Sequence, residues 1–288
     1  MNARNQPFTR RQTMLKNQYE IYRYHDAHLS EVALHHHDFY EVYFFCAGRV
    51  EYAVESRCYA LLPGDILLIS PQELHQPIFP EPGQAYERLV LWLSGGYLRE
   101  IAPEIDLENC FNGSGREREN LLRIEGGKSA RLFELADELA EESQSEAFGA
   151  QTRARGLLLQ LMVELSRAQM SAARPPVKKS ELVEGVSRYI NAHLDQPLSL
   201  EHLAEIAFVS KYHLSHEFKK QVGSSLYHYI LQRRLMGARA ALGAGEAPGE
   251  VYRRFGFNDY PNFYRAFRAE YGVTPRAYAR GRQTQKEE

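Results

Sequence analysis

Three consecutive histidines, His35-His36-His37, precede Glu41 by four to six residues, and His75 follows about forty residues later. Imidazole nitrogens with a carboxylate oxygen suit iron, manganese, nickel or zinc. Without an ion, the same groups hydrogen-bond a small polar molecule in a pocket walled by aromatic rings. Residues i and i+2 of a strand share a face, so His35 and His37 point into one space. His36 and Tyr40 alternate to the other side, as surface or packing residues. Tyr43 and Trp92 add aromatic walls. Three chemistries fit this set. A metal enzyme would use His35, His37, Glu41 and His75 for oxygenation or isomerisation. A metal-dependent sensor would use them without turnover. A metal-free pocket would bind a small polar effector through His35, His37, Glu41, His75, Tyr43 and Trp92.

A second constellation lies in the last third of the chain, as a repeat at an offset of 49 residues. Phe208 matches Phe257, Ser210 matches Asp259, Leu214 matches Phe263, Phe218 matches Phe267, Gly223 matches Gly272, and Tyr229 matches Tyr278. Each copy reads as a short helix, a tight turn, a capped second helix and a terminating glycine. This is the layout of a helix-turn-helix, whose second helix enters the DNA major groove. Removing core positions leaves Lys211, Tyr212, Ser215, His216, Lys219 and Lys220 on the first such helix. Tyr260, Asn262, Tyr264, Arg265 and Arg268 remain on the second. These side chains suit phosphates and base edges.

The elements that must hold these residues are legible in outline. Residues 20–95 carry short runs of β-formers, such as Tyr40 to Phe45 and Asp65 to Ile69. Turn signals at Ala47-Gly48, Pro63-Gly64 and Pro80 to Gly83 separate them, as in an all-β jelly roll. Leu132, Leu135, Ala136 and Leu139, then Leu157, Leu158, Leu161, Met162 and Leu165, follow a 3.6 period and predict two amphipathic helices. The polar, proline-bearing run 171–179 reads as a linker. From Ser180 onward the pattern is helical only, with Ser199, Ser210 and Thr274-Pro275 as helix starts. The expected division is 1–127 for the β-domain, 128–170 for the helical pair, 171–179 for the linker and 180–288 for the DNA-binding domain.

Composition agrees. The 288 residues, 44% of them apolar, can fill about two domains. The formal charge of −2 excludes a uniformly basic coat. Residues 177–280 nevertheless hold fifteen Lys and Arg against ten Asp and Glu, a net of +5. Three cysteines without CxxC spacing fit a reducing cytoplasm and exclude a disulfide framework or a cysteine zinc ribbon. No secretory h-region and no membrane-length apolar run is expected. No P-loop, GxGxxG fingerprint or Ser/His/Asp motif appears. The runs Asn112 to Gly115 and Gly126-Gly127 read as loops.

Two resemblances sharpen this reading. The spacing His-x-His-x3-Glu-x6-Gly from His35 to Gly48, then Pro63-Gly64-Asp65 and Pro71-x3-His75, resembles the two cupin motifs. Leu29 and Glu73 stand where glycines would be. The stretch Leu198-Ser199-Leu200, Leu203-Ala204-Glu205, Tyr212 to Lys220, Gly223, Arg234-Leu235, Ala238, Gly256-Phe257, Asp259, Phe263, Phe267, Tyr271-Gly272, Thr274-Pro275 and Tyr278 resembles the DNA-binding domain of the AraC/XylS family of bacterial transcription regulators. That resemblance implies two helix-turn-helix units on a long helix, reading successive major grooves of double-stranded DNA. Base-edge contacts would come from Tyr212, Ser215 and His216, and from Asn262 and Arg265. Pro261 has no donor, so Tyr260 joins Asn262 as the alternative. Arg265 is the candidate for a bidentate guanine contact. The family's usual Ile-Ala before the second turn is Val251-Tyr252 here, preceded by Pro248-Gly249. A weakened helix start and a tilted second unit are expected from that change. The resemblance also implies a homodimer through the helical pair, contact with the transcription machinery, a sugar-like effector in a pocket with no cofactor, and no enzymatic turnover.

Overall fold

A computed structural model describes residues 13–27, 29, 31–81, 85–112, 119–124, 129–171 and 178–284. Most of the expected linker, and the expected loops around Gly113 to Gly115 and Gly126-Gly127, lie outside the described residues. The chain divides into two compact units, Met1–Lys178 and Lys179–Glu288.

In the first unit, strands β1 (Tyr19–Asp26), β2 (Tyr40–Ala47), β3 (Glu51–Val54), β4 (Arg57–Ala60), β5 (Ile66–Ile69), β6 (His75–Ile78), β7 (Tyr86–Leu93) and β8 (Leu121–Leu122) form two antiparallel sheets. One runs β1-β7-β2-β5-β8; the other contains β6, β3 and β4 in that order. The alternation of β2 explains the architecture. Tyr43 and Phe45 face the second sheet, where they join Tyr24, Tyr52, Tyr59, Tyr86, Val90 and Trp92 in an aromatic interior. Tyr40, Val42 and Phe44 face the other way, beside Leu89, Leu91 and Leu93. With both faces apolar, this sheet needs a cover on its outer side.

That cover is helical. Helices α1 (Gly95–Ile101) and α2 (Asn109–Asn112) lead into α3 (Ser129–Glu142) and α4 (Ala150–Ser171). Leu132, Leu135, Ala136 and Leu139 of α3, and Leu158, Leu161, Met162 and Leu165 of α4, are buried in one cluster with the outer face of the sheet. Phe133 meets Phe44 edge-on at 5.2 Å. The apolar stripes of the helical pair are therefore occupied within a single chain.

The second unit is helical: α5 (Glu181–Ala192), α6 (Leu200–Ile206), α7 (Lys211–Val222), α8 (Leu226–Gly243), α9 (Pro248–Arg254), α10 (Tyr260–Tyr271) and α11 (Pro275–Thr284). Its helix starts are chemically explicit. Ser199, Ser210 and Ser225 each accept from the backbone N–H three residues on, at 3.1, 3.2 and 3.2 Å. Asp259 does the same for Asn262 at 2.7 Å. Gly223 and Gly272 end α7 and α10 in the left-handed conformation.

The helix start at Pro248-Gly249 has Ala247 at its N-cap and so lacks the side-chain cap of the other helix starts in this unit. Pro248 itself adds no cost. It occupies the first turn, where its missing N–H costs nothing. Tyr252 demands no room at a close helix contact, because Val251 is the fully buried neighbour. Tyr252 is half-buried and meets the Tyr260 ring edge-on at 5.8 Å.

The two repeats also differ by one residue at the turn. Phe208 N–H bonds Glu205 O and Val209 N–H bonds Ala204 O; Gly256 and Phe257 repeat these bonds to Arg253 and Tyr252. The offset is thus 48 before the turn and 49 after it, with Asn258 as the additional residue. Phe208 therefore takes the place of Gly256, not of Phe257. Both have positive φ, 55° and 68°. Glycine is obligatory at 256, since a Cβ there would lie 2.4 Å from Leu194 O and against the Arg234 guanidinium. Arg234 itself donates to Leu194 O at 3.1 Å and Gln196 O at 2.7 Å, joining α8 to the end of α5.

Two substitutions test this reading in calorimetric unfolding of the full chain. Gly256→Ala should lower the transition of the second unit by about 1–3 kcal/mol, from strain and overlap. Phe208→Gly should raise it by about 0.5–1 kcal/mol, because the side chain is 95% exposed and only strain is lost. A destabilising Phe208→Gly would show that this side chain is packed after all.

Candidate ligand pocket and nucleic-acid interface

The interior of the first unit is aromatic, with a polar cluster at its centre. Strand register places Glu41 beside Trp92 of β7 and Ile69 of β5. The Trp92 indole N–H donates to Glu41 Oε2 at 2.8 Å, and His37 Nε2 lies 3.2 Å from the same oxygen. His35 and His75 form an isolated antiparallel bridge, with reciprocal backbone bonds of 3.1 and 2.9 Å. Their rings meet edge-on at 4.2 Å, and the His37 ring is 4.8 Å from that of His75. Phe39 stacks flat on His37 at 4.0 Å.

The ring orientations are set by the backbone. Nδ1 of His35 lies 2.9 Å from Ala33 O, that of His37 2.8 Å from Phe39 O, and that of His75 2.8 Å from Glu73 O. A carbonyl can only accept, so Nδ1 carries a proton in each ring and Nε2 faces away from the carbonyl. Burial, with the neighbouring His35 and His37, holds His75 well below the ordinary histidine value. Burial likewise lowers His35. For Glu41, burial opposes ionisation, but the approach of His37 and the influence of His35 and Trp92 outweigh it. The carboxyl therefore stays below its ordinary value.

Donor atoms of His37, Glu41 and His75 lie within 4.8 Å of one another, and these three residues could hold a metal ion. The sequence set of four is narrowed accordingly. His35 is half-buried beside His75 but stands outside the mutually close group. His36 and Tyr40, assigned to the other face, are both buried.

Sequence reasoning missed a second polar group in the same interior. Arg88 is 4% exposed and ion-paired with Asp26. Its guanidinium lies over the Tyr86 ring at 4.3 Å and the Tyr24 ring at 4.6 Å. The hydroxyl of Tyr43 is hydrogen-bonded to that of Tyr86. Burial and Tyr86 hold the Tyr43 phenol well above its ordinary value. Burial pushes Tyr86 up to about 12 against the pull of Arg88. Tyr52 connects the two groups: its ring is 4.9 Å from Tyr43 and stacks with His75 at 6.3 Å. The signal was present in β7, where Tyr86, Arg88 and Val90 share the face of Trp92.

In the second unit, Lys211, Tyr212, Ser215, His216, Lys219 and Lys220 all stand exposed on α7. Leu214, Phe218 and Val222 bury its other face. On α10, Asn262, Arg265 and Arg268 are exposed, above buried Phe263 and Phe267. Tyr260 is the candidate turned inward. It is half-buried against Tyr252 and Phe263. Arg265 is positioned by a relay. Asp259 Oδ2 accepts from Asn262 Nδ2 at 2.6 Å, and Asn262 Oδ1 accepts from the Arg265 guanidinium. A fixed guanidinium suits bidentate recognition.

Two family models match the chain. An AraC-like ligand-binding domain covers residues 17–162, and a helix-turn-helix domain covers residues 203–281. Among curated relatives, the arabinose operon regulatory protein of Escherichia coli (strain K12) is 26% identical over 230 residues, covering 79% of this chain and 75% of that protein. The HTH-type transcriptional activator RhaR of Pectobacterium atrosepticum is 28% identical over 251 residues, covering 85% of each. The right origin-binding protein of Escherichia coli (strain K12) is 37% identical over 93 residues, 32% of each chain.

The two kinds of exposed cation should respond differently in DNA titrations. Arg265→Ala should cost about 1–3 kcal/mol of discrimination at one base pair and relax preference there. Lys219→Gln with Lys220→Gln should weaken binding to all sequences alike and lower the salt slope by roughly 0.9 per lost phosphate contact. Unchanged base preference in Arg265→Ala would remove this residue from the readers.

Proposed function

The chain belongs to the AraC family of DNA-binding transcription regulators, and on that premise we propose that a small polar effector of the sugar class, held inside the β-domain, controls its binding to double-stranded DNA. The observation that carries this reading is the buried polar path through an otherwise aromatic interior: His37, Glu41 and His75 at one end, Tyr52 between, and Tyr43, Tyr86 and Arg88 at the other. Such a path offers hydrogen bonds to several hydroxyls and flat apolar faces, on Trp92 and Phe39, to sugar C–H groups. A relative whose name ties it to the arabinose operon supports the same class.

The effector acts by preferring one of two arrangements of the protein, and DNA affinity shifts by that difference in affinity alone. A coupling of about 1–3 kcal/mol gives the usual 5–150-fold change in affinity. The protein works by binding and not by turnover, as a cytoplasmic homodimer that contacts the transcription machinery. The relatives' regulatory names support action by binding. Among the described residues no helix is long and apolar enough to cross a membrane. Since the apolar stripes of α3 and α4 are covered by the sheet, a partner subunit would use the solvent faces of the pair.

Screening sugars and related polar metabolites by thermal unfolding tests the reading. An effector at 100 times its Kd should stabilise the chain by about 2.7 kcal/mol. Glu41→Gln and Tyr43→Phe should each weaken that effector at least tenfold, about 1.4 kcal/mol, while operator affinity without effector stays the same. A normal effector response in both variants would move the effector site out of the β-domain interior.

A further inference from the structure

Three polar side chains stand one turn apart at the start of α10, and their bonds run in one direction. Asp259, Asn262 and Arg265 are spaced three residues apart, so they follow one another along one side of the helix. Asp259 divides its carboxylate between two tasks. Oδ1 accepts the backbone N–H of Asn262 at 2.7 Å and starts the helix; Oδ2 accepts from Asn262 Nδ2 at 2.6 Å. Asn262 Oδ1 then accepts from the Arg265 guanidinium. Only one orientation of the amide serves both neighbours. Turned over, its NH2 would face the guanidinium and its carbonyl the carboxylate. An amide reads adenine by offering donor and acceptor together to N7 and N6. Here the two ends of the amide are turned to opposite neighbours. Guanine presents two acceptors, O6 and N7, and Arg265 keeps further N–H donors for them.

The first unit is built otherwise. At the offset of 49, Ser210 stands for Asp259, His213 for Asn262 and His216 for Arg265. Ser210 has one side-chain oxygen, and it accepts the His213 backbone N–H at 3.2 Å. His216 turns to its own neighbour, with Nδ1 3.3 Å from Glu217 Oε1. Among the described residues no chain of side-chain bonds joins that cap to His216. A carboxylate in place of a hydroxyl supplies the one additional oxygen from which the bonds of α10 extend. We propose that Asn262 reads no base and is a positioning residue: anchored on Asp259, it holds Arg265 for a single guanine. A rotamer-rich side chain that is already held loses less freedom on binding. That advantage is realised only where its fixed, planar donors meet the matching base edge.

The inference rests on Arg265 as a base reader, and the experiment separates the two claims. The full chain selects its site from a random duplex library, and single-base variants of that site are titrated against the native chain and its variants. Arg265→Ala marks the base pair concerned, by losing a guanine preference of about 5–150-fold. Asn262→Ala should lose about tenfold at that same base pair and nothing at any other. Its backbone N–H still meets the Asp259 cap, so the helix start is kept. Asp259→Ser retains a cap and removes only the second oxygen, as in the first unit, and should lower the same preference. With Arg265 already replaced by Ala, adding Asn262→Ala should change nothing further, because both act through one contact. Preference lost at a different base pair in Asn262→Ala would make Asn262 a reader in its own right and overturn the inference. So would undiminished guanine preference in Asn262→Ala or Asp259→Ser, or losses from Asn262→Ala and Arg265→Ala that add. Base preference left intact in Arg265→Ala removes the premise and the inference with it, while DNA binding by the chain stands in every case.

Discussion

A carboxylate in the middle of an aromatic barrel is costly unless its oxygens are met. Leaving it charged and alone would cost several kcal/mol. Much of the first unit is arranged around that constraint. The β2–β7 register sets Trp92 beside Glu41 so that the indole N–H reaches it. The irregular segment before β2 turns His37 onto the same oxygen and lets Phe39 cover the imidazole. The bridge between His35 and His75 closes the far side. The Arg88–Asp26 pair solves the same problem with opposite charge first: a guanidinium sandwiched by tyrosines, neutralised at its edge. Two buried charges with separate solutions keep this interior polar enough to select a ligand.

The second unit depends on backbone satisfaction more than on buried charge. Its recognition helices begin at side-chain caps and end at left-handed glycines, so their lengths are set by local chemistry. With ends fixed in this way, Phe218 and Phe263 can be fully buried on one side while the opposite side carries mainly polar groups. Arg234 performs the equivalent task for a loop, meeting two carbonyls that α5 and its following turn leave open.

The sequence was most legible where period and punctuation agree. The β-forming run of β2, the apolar stripes of α3 and α4, and the caps at Ser199, Ser210 and Asp259 were all readable, because each rests on interactions within a few residues. The site was partly legible. Spacing pointed to His35, His37, Glu41 and His75, and the fold brings all three rings and the carboxylate to one region, with His35 beside His75, but spacing alone does not tell a ring beside a cluster from one within it. Arg88 escaped because an arginine in a strand reads as a solvent-facing residue until its partners, Asp26 and Tyr24, are placed by a strand sixty residues away. The repeat was seen but misaligned by one residue at the turn. Matching aromatic letters at 208 and 257 hid the fact that the left-handed position falls on Phe208 in one copy and on Gly256 in the other.

The double burial of β2 has a mechanical consequence. Glu41 and Tyr43 line the interior, while Tyr40, Val42 and Phe44, their immediate neighbours, belong to the core shared with the helices. A strand packed on both faces cannot yield on one side alone, since protein interiors are dense and poorly compressible. From Glu41 the backbone runs directly to Phe44, whose ring meets Phe133 of α3. The strand is a strut between the interior at Glu41 and Tyr43 and the outer helical layer, which it meets through Phe44 and Phe133.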